Sequence, residues 1–299
     1  MKKYKYLFVL CMLLAITLAG GLFTTAYTKM EKGSEGEEKF KIVTSFYPVY
    51  IAAKNVVGHN HDVTLENLSE PQTGCMHDYQ LTPQDMILLS DADVFLVNGG
   101  GIESFLAEVA KAYPELTILC ASEGLELLED NAHAWMDTRL YSQMVQAIAE
   151  GLARADEAHA EAYRTNAAAY CEKIHGLTVQ IEALKEELSG RDTIIFHEAY
   201  EYVAEQYGMN PVYCLDLDEE RQVSAGEVAE VMEEIAHHGI RAVLAEELYG
   251  RDMGNAVERD SDCGVYYLDS LVRGSYEADS YLTAMQENID KMKKIAGKE

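Results

Sequence analysis

The sequence predicts an α/β protein of two similar lobes, each a mostly parallel four-stranded sheet with flanking helices, joined by a long helical spine. Three observations carry this. Short apolar, β-branched runs alternate with amphipathic segments in the first half, the pattern of a parallel sheet covered on both faces. The same alternation returns near residue 190. Between the halves lies a purely helical stretch with one continuous apolar stripe.

Residues 40–46 (FKIVTSF) form the first strand, which Pro48 stops; a helix follows to Val57 and ends at Gly58. Residues 63–68, 94–97 and 116–120 read as further strands, with helices over 83–89 and 102–113. Beyond Trp135 an amphipathic helix covers 140–153, and Asp156 is placed to cap the next one. In that next helix Tyr163, Ala167, Tyr170, Ile174, Leu177, Ile181, Leu184 and Leu188 step by alternating fours and threes. About 30 residues long, it would extend roughly 45 Å, a stiff spine between lobes. Residues 193–196, 212–217, 242–245 and 265–268 are the second set of strands. Helices run from Ala199, over 224–238 and over 253–259, and a last helix covers 280–295. The expected boundaries are 39–155 for the N-terminal lobe, 156–189 for the linking helix and 190–299 for the C-terminal lobe.

A chain of 299 residues suits two domains, and 48% hydrophobic residues suffice for two cores. The net charge of −27 argues against nucleic acid or an anionic membrane surface as partner. Lys2, Lys3 and Lys5 precede an uncharged run over 6–23, and Thr24, Thr25 and Ala26 are small enough for cleavage. Residues 1–27 therefore read as a signal peptide or N-terminal membrane anchor, and 28–38 as a flexible tether. The folded part is expected outside the cytoplasm, in a periplasm or on the outer face of the cytoplasmic membrane. Five cysteines follow Cys11, without C-x-x-C spacing, which argues against a disulfide framework or zinc ribbon.

The nine histidines are not equivalent. His77 follows the second strand, His133 follows the fourth, and His197 stands where the fifth strand ends and a helix begins. Asp269 ends the eighth strand. All four are at strand carboxyl ends, where ligands gather in α/β sheets. Three imidazoles and a carboxylate suit zinc at about 2.0–2.2 Å, whereas magnesium or calcium demands more oxygen. HEAYE over 197–201 begins like a zinc-protease H-E-x-x-H, but Glu201 stands at the fifth position. Glu246 and Glu247 are reserve carboxylates, and Cys75 could approach a metal as thiolate. His59 and His61 read as a solvated turn, His237 and His238 as a helix C-terminal cap, and His159 and His175 as solvent-facing. No P-loop, G-x-S-x-G elbow or G-x-G-x-x-G after a strand is present, and turn chemistry accounts for Gly99, Gly100 and Gly101.

Several spaced motifs resemble the zinc/manganese-type (cluster A-I) solute-binding proteins of bacterial metal ABC importers. They are VTSFYPVY (43–50), the His77 loop with Tyr79 and Pro83, ADVFLVNGGGIESFL (92–106), NAHAWMD (131–137), IFHEAYEYVAEQYG (195–208), LAEELYG (244–250) and LDSL (268–271). The resemblance implies metal ligands His77, His133, His197 and Asp269, two from each lobe. A histidine in the third position goes with zinc and a carboxylate with manganese, so His197 puts zinc ahead of manganese as the transported ion. Met76, Ala132 and Thr138 replace loop-shaping prolines of the pattern, and the His- and Asp-rich loop of many zinc members is missing. The resemblance further implies a receptor, not an enzyme, that delivers zinc to a membrane permease, with a spine that restrains lobe closure; a monomer is expected. Two rival readings fit the same residues. One is a surface adhesin or structural protein with zinc as a staple, and the other is a zinc hydrolase with Glu198 or Glu246 as base.

Overall fold

The computed structural model describes residues 39–70, 76–77, 79–129, 131–217, 223–247 and 249–298; the leader, the tether and Cys75 lie outside them. The strands are β1 (Phe40–Thr44), β2 (Val63–Asn67), β3 (Val94–Val97) and β4 (Thr117–Cys120), then β5 (Asp192–Ile195), β6 (Asn210–Cys214), β7 (Ala242–Glu246) and β8 (Gly264–Leu268). They form two sheets of identical topology, β2-β1-β3-β4 and β6-β5-β7-β8. β1 pairs with β3, β3 with β4, β5 with both β6 and β7, and β7 with β8, all in parallel. Both sheets belong, from Lys41 on, to one compact unit, Lys41–Glu299.

The central strands are apolar on both faces because helices cover both: all four residues of β3 (VFLV) are buried. Edge strand β6 tolerates Pro211, and its register against β5 shifts beside that residue. In the C-terminal lobe Ile194, Phe196, Val243 and Val265 of the sheet region pack with Val231, Ile235 and Val257 of the helices. Those helices are α7 (Tyr200–Tyr207), α8 (Ala225–His238), α9 (Arg251–Asp260) and the final α10 (Ser280–Ala296). The N-terminal lobe carries α1 (Tyr47–Val57), α2 (Pro83–Ser90) and α3 (Leu106–Ala112). The helix expected over 102–113 starts four residues late. Glu103 turns inward to accept from Ser45 Oγ (2.8 Å) and from the amides of Asn98 (2.7 Å) and Gly99 (3.0 Å), so 102–105 is a turn.

α4 (Thr138–Ala155), α5 (Ala160–Glu182) and the one-turn α6 (Lys185–Leu188) form the spine. Every residue of the expected stripe is buried, yet the single long helix is interrupted. At Leu184 the amide bonds Ile181 three residues back, tightening the turn without losing the phase of the stripe. At 23 residues α5 is about 35 Å long. Asp156 does not cap it: its carboxylate accepts from Tyr163 Oη and pairs with His159 Nδ1, each at 2.7 Å, and a short 3-10 turn intervenes. His159 is thereby engaged rather than solvent-facing, whereas His175 is exposed, as are His59 and His61 in their turn.

A buried polar seam joins the lobes. Gln206 of α7 accepts from the amide of Thr138 (3.0 Å) and donates to the Met136 carbonyl (2.8 Å), while Tyr202 Oη donates to the Asn131 carbonyl (2.6 Å). On the other side Tyr47 Oη donates to the Ser275 carbonyl (2.9 Å) and Asn55 Nδ2 to that of Ala278 (2.7 Å). Each such bond contributes about 0.5–1.5 kcal/mol net and costs more if left unmade, so the seam resists wide hinge opening. Among the described residues no helix is long and apolar enough to cross a membrane.

Candidate metal centre

His77 sits in a tight turn after β2, where the Tyr79 amide bonds the Met76 carbonyl (3.1 Å) and Met76 is fully buried. Thr82 and Asp85 then form a reciprocal capping box that starts α2, and Tyr79 Oη donates to Asp85. This fixes the direction of the loop while leaving the His77 side chain about one-third exposed.

His133 is fully buried. Its loop is held from β3: Asn98 Nδ2 donates to the Ala132 carbonyl (3.0 Å). Gly99 adopts φ +85°, and a Cβ there would collide with the Cys120 sulfur, so the close approach of β3, β4 and this loop requires glycine. Asn131 Oδ1 lies 2.8 Å from His133 Nδ1 and also accepts the His133 amide. An Nδ1–H donor to that amide oxygen leaves the lone pair on Nε2, the tautomer a metal ligand needs. Burial first, then the His197 and His77 rings, push the His133 pKa well below the ordinary histidine value.

His133 Nε2 lies 3.4 Å from His77 Nε2. Two ligands on one tetrahedral ion at about 2.1 Å stand about 3.4 Å apart, so these two nitrogens already have the spacing of a shared zinc. The His197 ring follows β5, at the point where the strand order of its sheet reverses, with its centroid 5.0 Å from that of His133. Its Nδ1 accepts the Ala199 amide at 2.9 Å.

The carboxylate beside the first two imidazoles is Glu198. Its Oε1 lies 3.3 Å from His133 Nδ1 and 3.7 Å from His77 Nε2, and ligand atoms of His77, His133 and Glu198 fall within 4.8 Å of one another. The sequence marks Glu198 only as a possible base; its place directly after His197, at the head of a helix, is the signal it offers. Asp269 is not in that group. Its Oδ1 accepts the Leu271 amide (2.7 Å), closing a tight turn in which Leu271 takes φ +59°. It lines a cavity of about 120 Å³ with Glu246, Glu247, Arg273, Glu287 and Lys291. Burial raises its pKa, against the Leu271 amide and Arg273. Glu246 is buried and likewise raised, accepts from Ser270 Oγ (2.8 Å) and has Arg273 at 3.7 Å. Cys120, Cys171, Cys214 and Cys263 are free thiols.

Over 303 residues the chain is 29% identical to the iron-binding protein YfeA of Yersinia pestis, covering 95% of each chain. It is 29% identical over 304 residues to the manganese-binding lipoprotein MntA of Halalkalibacterium halodurans, covering 97% of each. Among solved structures it is similar to FpvC of Pseudomonas aeruginosa with Ni2+, at TM-score 0.77 over 87% of this chain and 97% of that one. Identity there is 22%, so that likeness bears on the fold. The ZnuA family model, zinc-uptake complex component A, periplasmic, matches residues 42–295. With most of its length so matched, the chain belongs to this family, the metal solute-binding proteins of bacterial ABC importers.

Proposed function

We propose that the protein is an extracytoplasmic receptor that captures zinc in the cleft between its lobes and delivers it to the membrane permease of an ABC importer. His77 and His133 of one lobe, and His197 and Asp269 of the other, are the assigned ligands. The observation that carries this is the 3.4 Å separation of the His77 and His133 ring nitrogens, with His133 buried and neutral. Neutral nitrogen donors favour zinc over manganese along the Irving–Williams order. Glu198 and His77 are the part-exposed members of the group, and we assign Glu198 the role of meeting the incoming ion before Asp269 closes the shell.

A second reading keeps Glu198 as a permanent ligand. One more oxygen would soften the preference for zinc, in line with relatives named for iron and manganese. A metal-buffered competition on the purified protein decides between them. Zinc preferred by orders of magnitude supports the first reading; a preference for manganese or iron overturns it.

A further inference from the structure

A second cluster of nitrogen and carboxylate donors lies far from the cleft, at the C-terminal end of α8. Glu234, His237 and His238 offer ligand atoms that fall within 4.8 Å of one another. The spacing i, i+3, i+4 puts all three on one helix face, so folding of the helix itself forms the chelate. His238 Nε2 is 3.4 Å from Glu234 Oε2, and the His237 and His238 ring centroids are 4.7 Å apart. Gly239 ends the helix in the left-handed conformation, φ +63°, and the negative end of a helix dipole favours a cation.

Charge capping of a helix end needs only one such histidine and no partner behind it. Here His238 has one. Its Nδ1 faces Asp192 Oδ2 at 3.6 Å, and Asp192 Oδ1 is held by Asn210 Nδ2 at 2.7 Å. A carboxylate behind the non-ligating nitrogen is the arrangement that orients metal-bound histidines. We propose that Glu234, His237 and the Nε2 of His238 form a second, solvent-open site for a divalent transition ion such as zinc, with Asp192 as a positioning residue. Asp192 opens β5 and His197 follows its end, so the two sites stand at opposite ends of a strand about 13 Å long. Arg191 and Arg241 line the adjoining cavity of about 470 Å³, and their charge makes this site the weaker one.

The test is a zinc chloride titration of the full-length protein, followed by calorimetry and by mass spectrometry under native conditions. The parent takes up two equivalents, the second at least about 100-fold more weakly than the first. The exposed double variant His237→Ala/His238→Ala keeps the tight equivalent and loses the weak one, while His133→Ala loses the tight one and keeps the weak one. Asp192→Asn keeps both equivalents but weakens the second by about 10–100-fold. One equivalent in the parent, or a double variant that still binds two, overturns the proposal. Cobalt(II) absorption checks the same point, since nitrogen ligation at the second equivalent adds a visible band that the double variant lacks.

Discussion

The indole N–H of Trp135 donates to the backbone carbonyl of Ser270 at 2.9 Å, across the seam between the lobes. Trp135 stands two residues after His133 and Ser270 one residue after Asp269, so one bond helps set the spacing between candidate ligands of opposite lobes. The ring is fully buried, edge-on to Phe46 at 5.2 Å and 4.9 Å from the His133 ring.

Trp135→Phe keeps an aromatic ring but leaves the Ser270 carbonyl without this donor. An unmade buried hydrogen bond costs about 1–3 kcal/mol. The variant is expected to unfold at lower urea concentration and to bind zinc at least about tenfold more weakly. Parent-like values for both quantities would remove this bond from any role in the seam.

The assigned ligands differ in what their loss costs. Alanine at His77, His133 or His197 should weaken zinc binding by at least about 100-fold, equivalent to about 2.7 kcal/mol. Asp269→Ala should cost less, about tenfold, because water can replace an oxygen donor. Glu198→Ala should chiefly slow association, a change read by stopped-flow mixing with zinc. If two of the histidine variants bind like the parent, the assignment is wrong; if Glu198→Ala costs more at equilibrium than Asp269→Ala, Glu198 is the fourth ligand.

Burial of a neutral His133 ties stability to pH. Its pKa in the folded protein lies well below the ordinary ~6.5, so in acid the unfolded chain takes a proton that the fold does not. The stabilisation is complete above about pH 6.5 and is lost as pH falls, by up to about 1.4 kcal/mol per pH unit. Glu103 and Glu246, raised by burial, act with the opposite sign. Urea unfolding of the metal-free protein between pH 8 and pH 5.5 should therefore show a decline that His133→Gln removes. A pH dependence of the same size in parent and His133→Gln contradicts a buried neutral His133.

The two-lobed topology was legible because the central strands are short apolar runs and the spine helices carry a continuous stripe. Patterns of burial report which face is inside, not how the backbone bonds. That is why the turn at 183–184 inside the spine was invisible: Leu184 and Leu188 stay buried on either side of it. The same limit applies to Asp156, whose spacing suits a cap but whose carboxylate is taken by His159 and Tyr163. At the site, positions at strand ends were readable from the order of elements. The proximity of Glu198 to His77 was not, since it depends on the angle at which α7 leaves β5. Likewise Asp269 lies where the strand pattern puts it, but its rotamer follows the Leu271 amide.

His197 differs from His133 in a way that bears on release. Its Nδ1 accepts the Ala199 amide, and a neutral imidazole accepting there carries its proton on Nε2. Ligation through Nε2 requires that proton to move to Nδ1 or to leave. If it moves, Nδ1 becomes a donor and the Ala199 amide loses its acceptor; if it leaves to solvent, zinc binding releases a proton. His133, whose Nδ1 already faces Asn131, faces no such change. If His197 ligates through Nε2 as proposed, this rearrangement makes it the ligand expected to engage last and let go first. Zinc loading at pH 7 is expected to shift the Ala199 amide resonance and speed its hydrogen exchange, or to release close to one proton in buffers of different ionisation enthalpy. His197→Gln should abolish whichever response the parent gives. A zinc-loaded parent that releases no proton and keeps an unchanged, fully protected Ala199 amide would show that His197 does not bind the metal through Nε2.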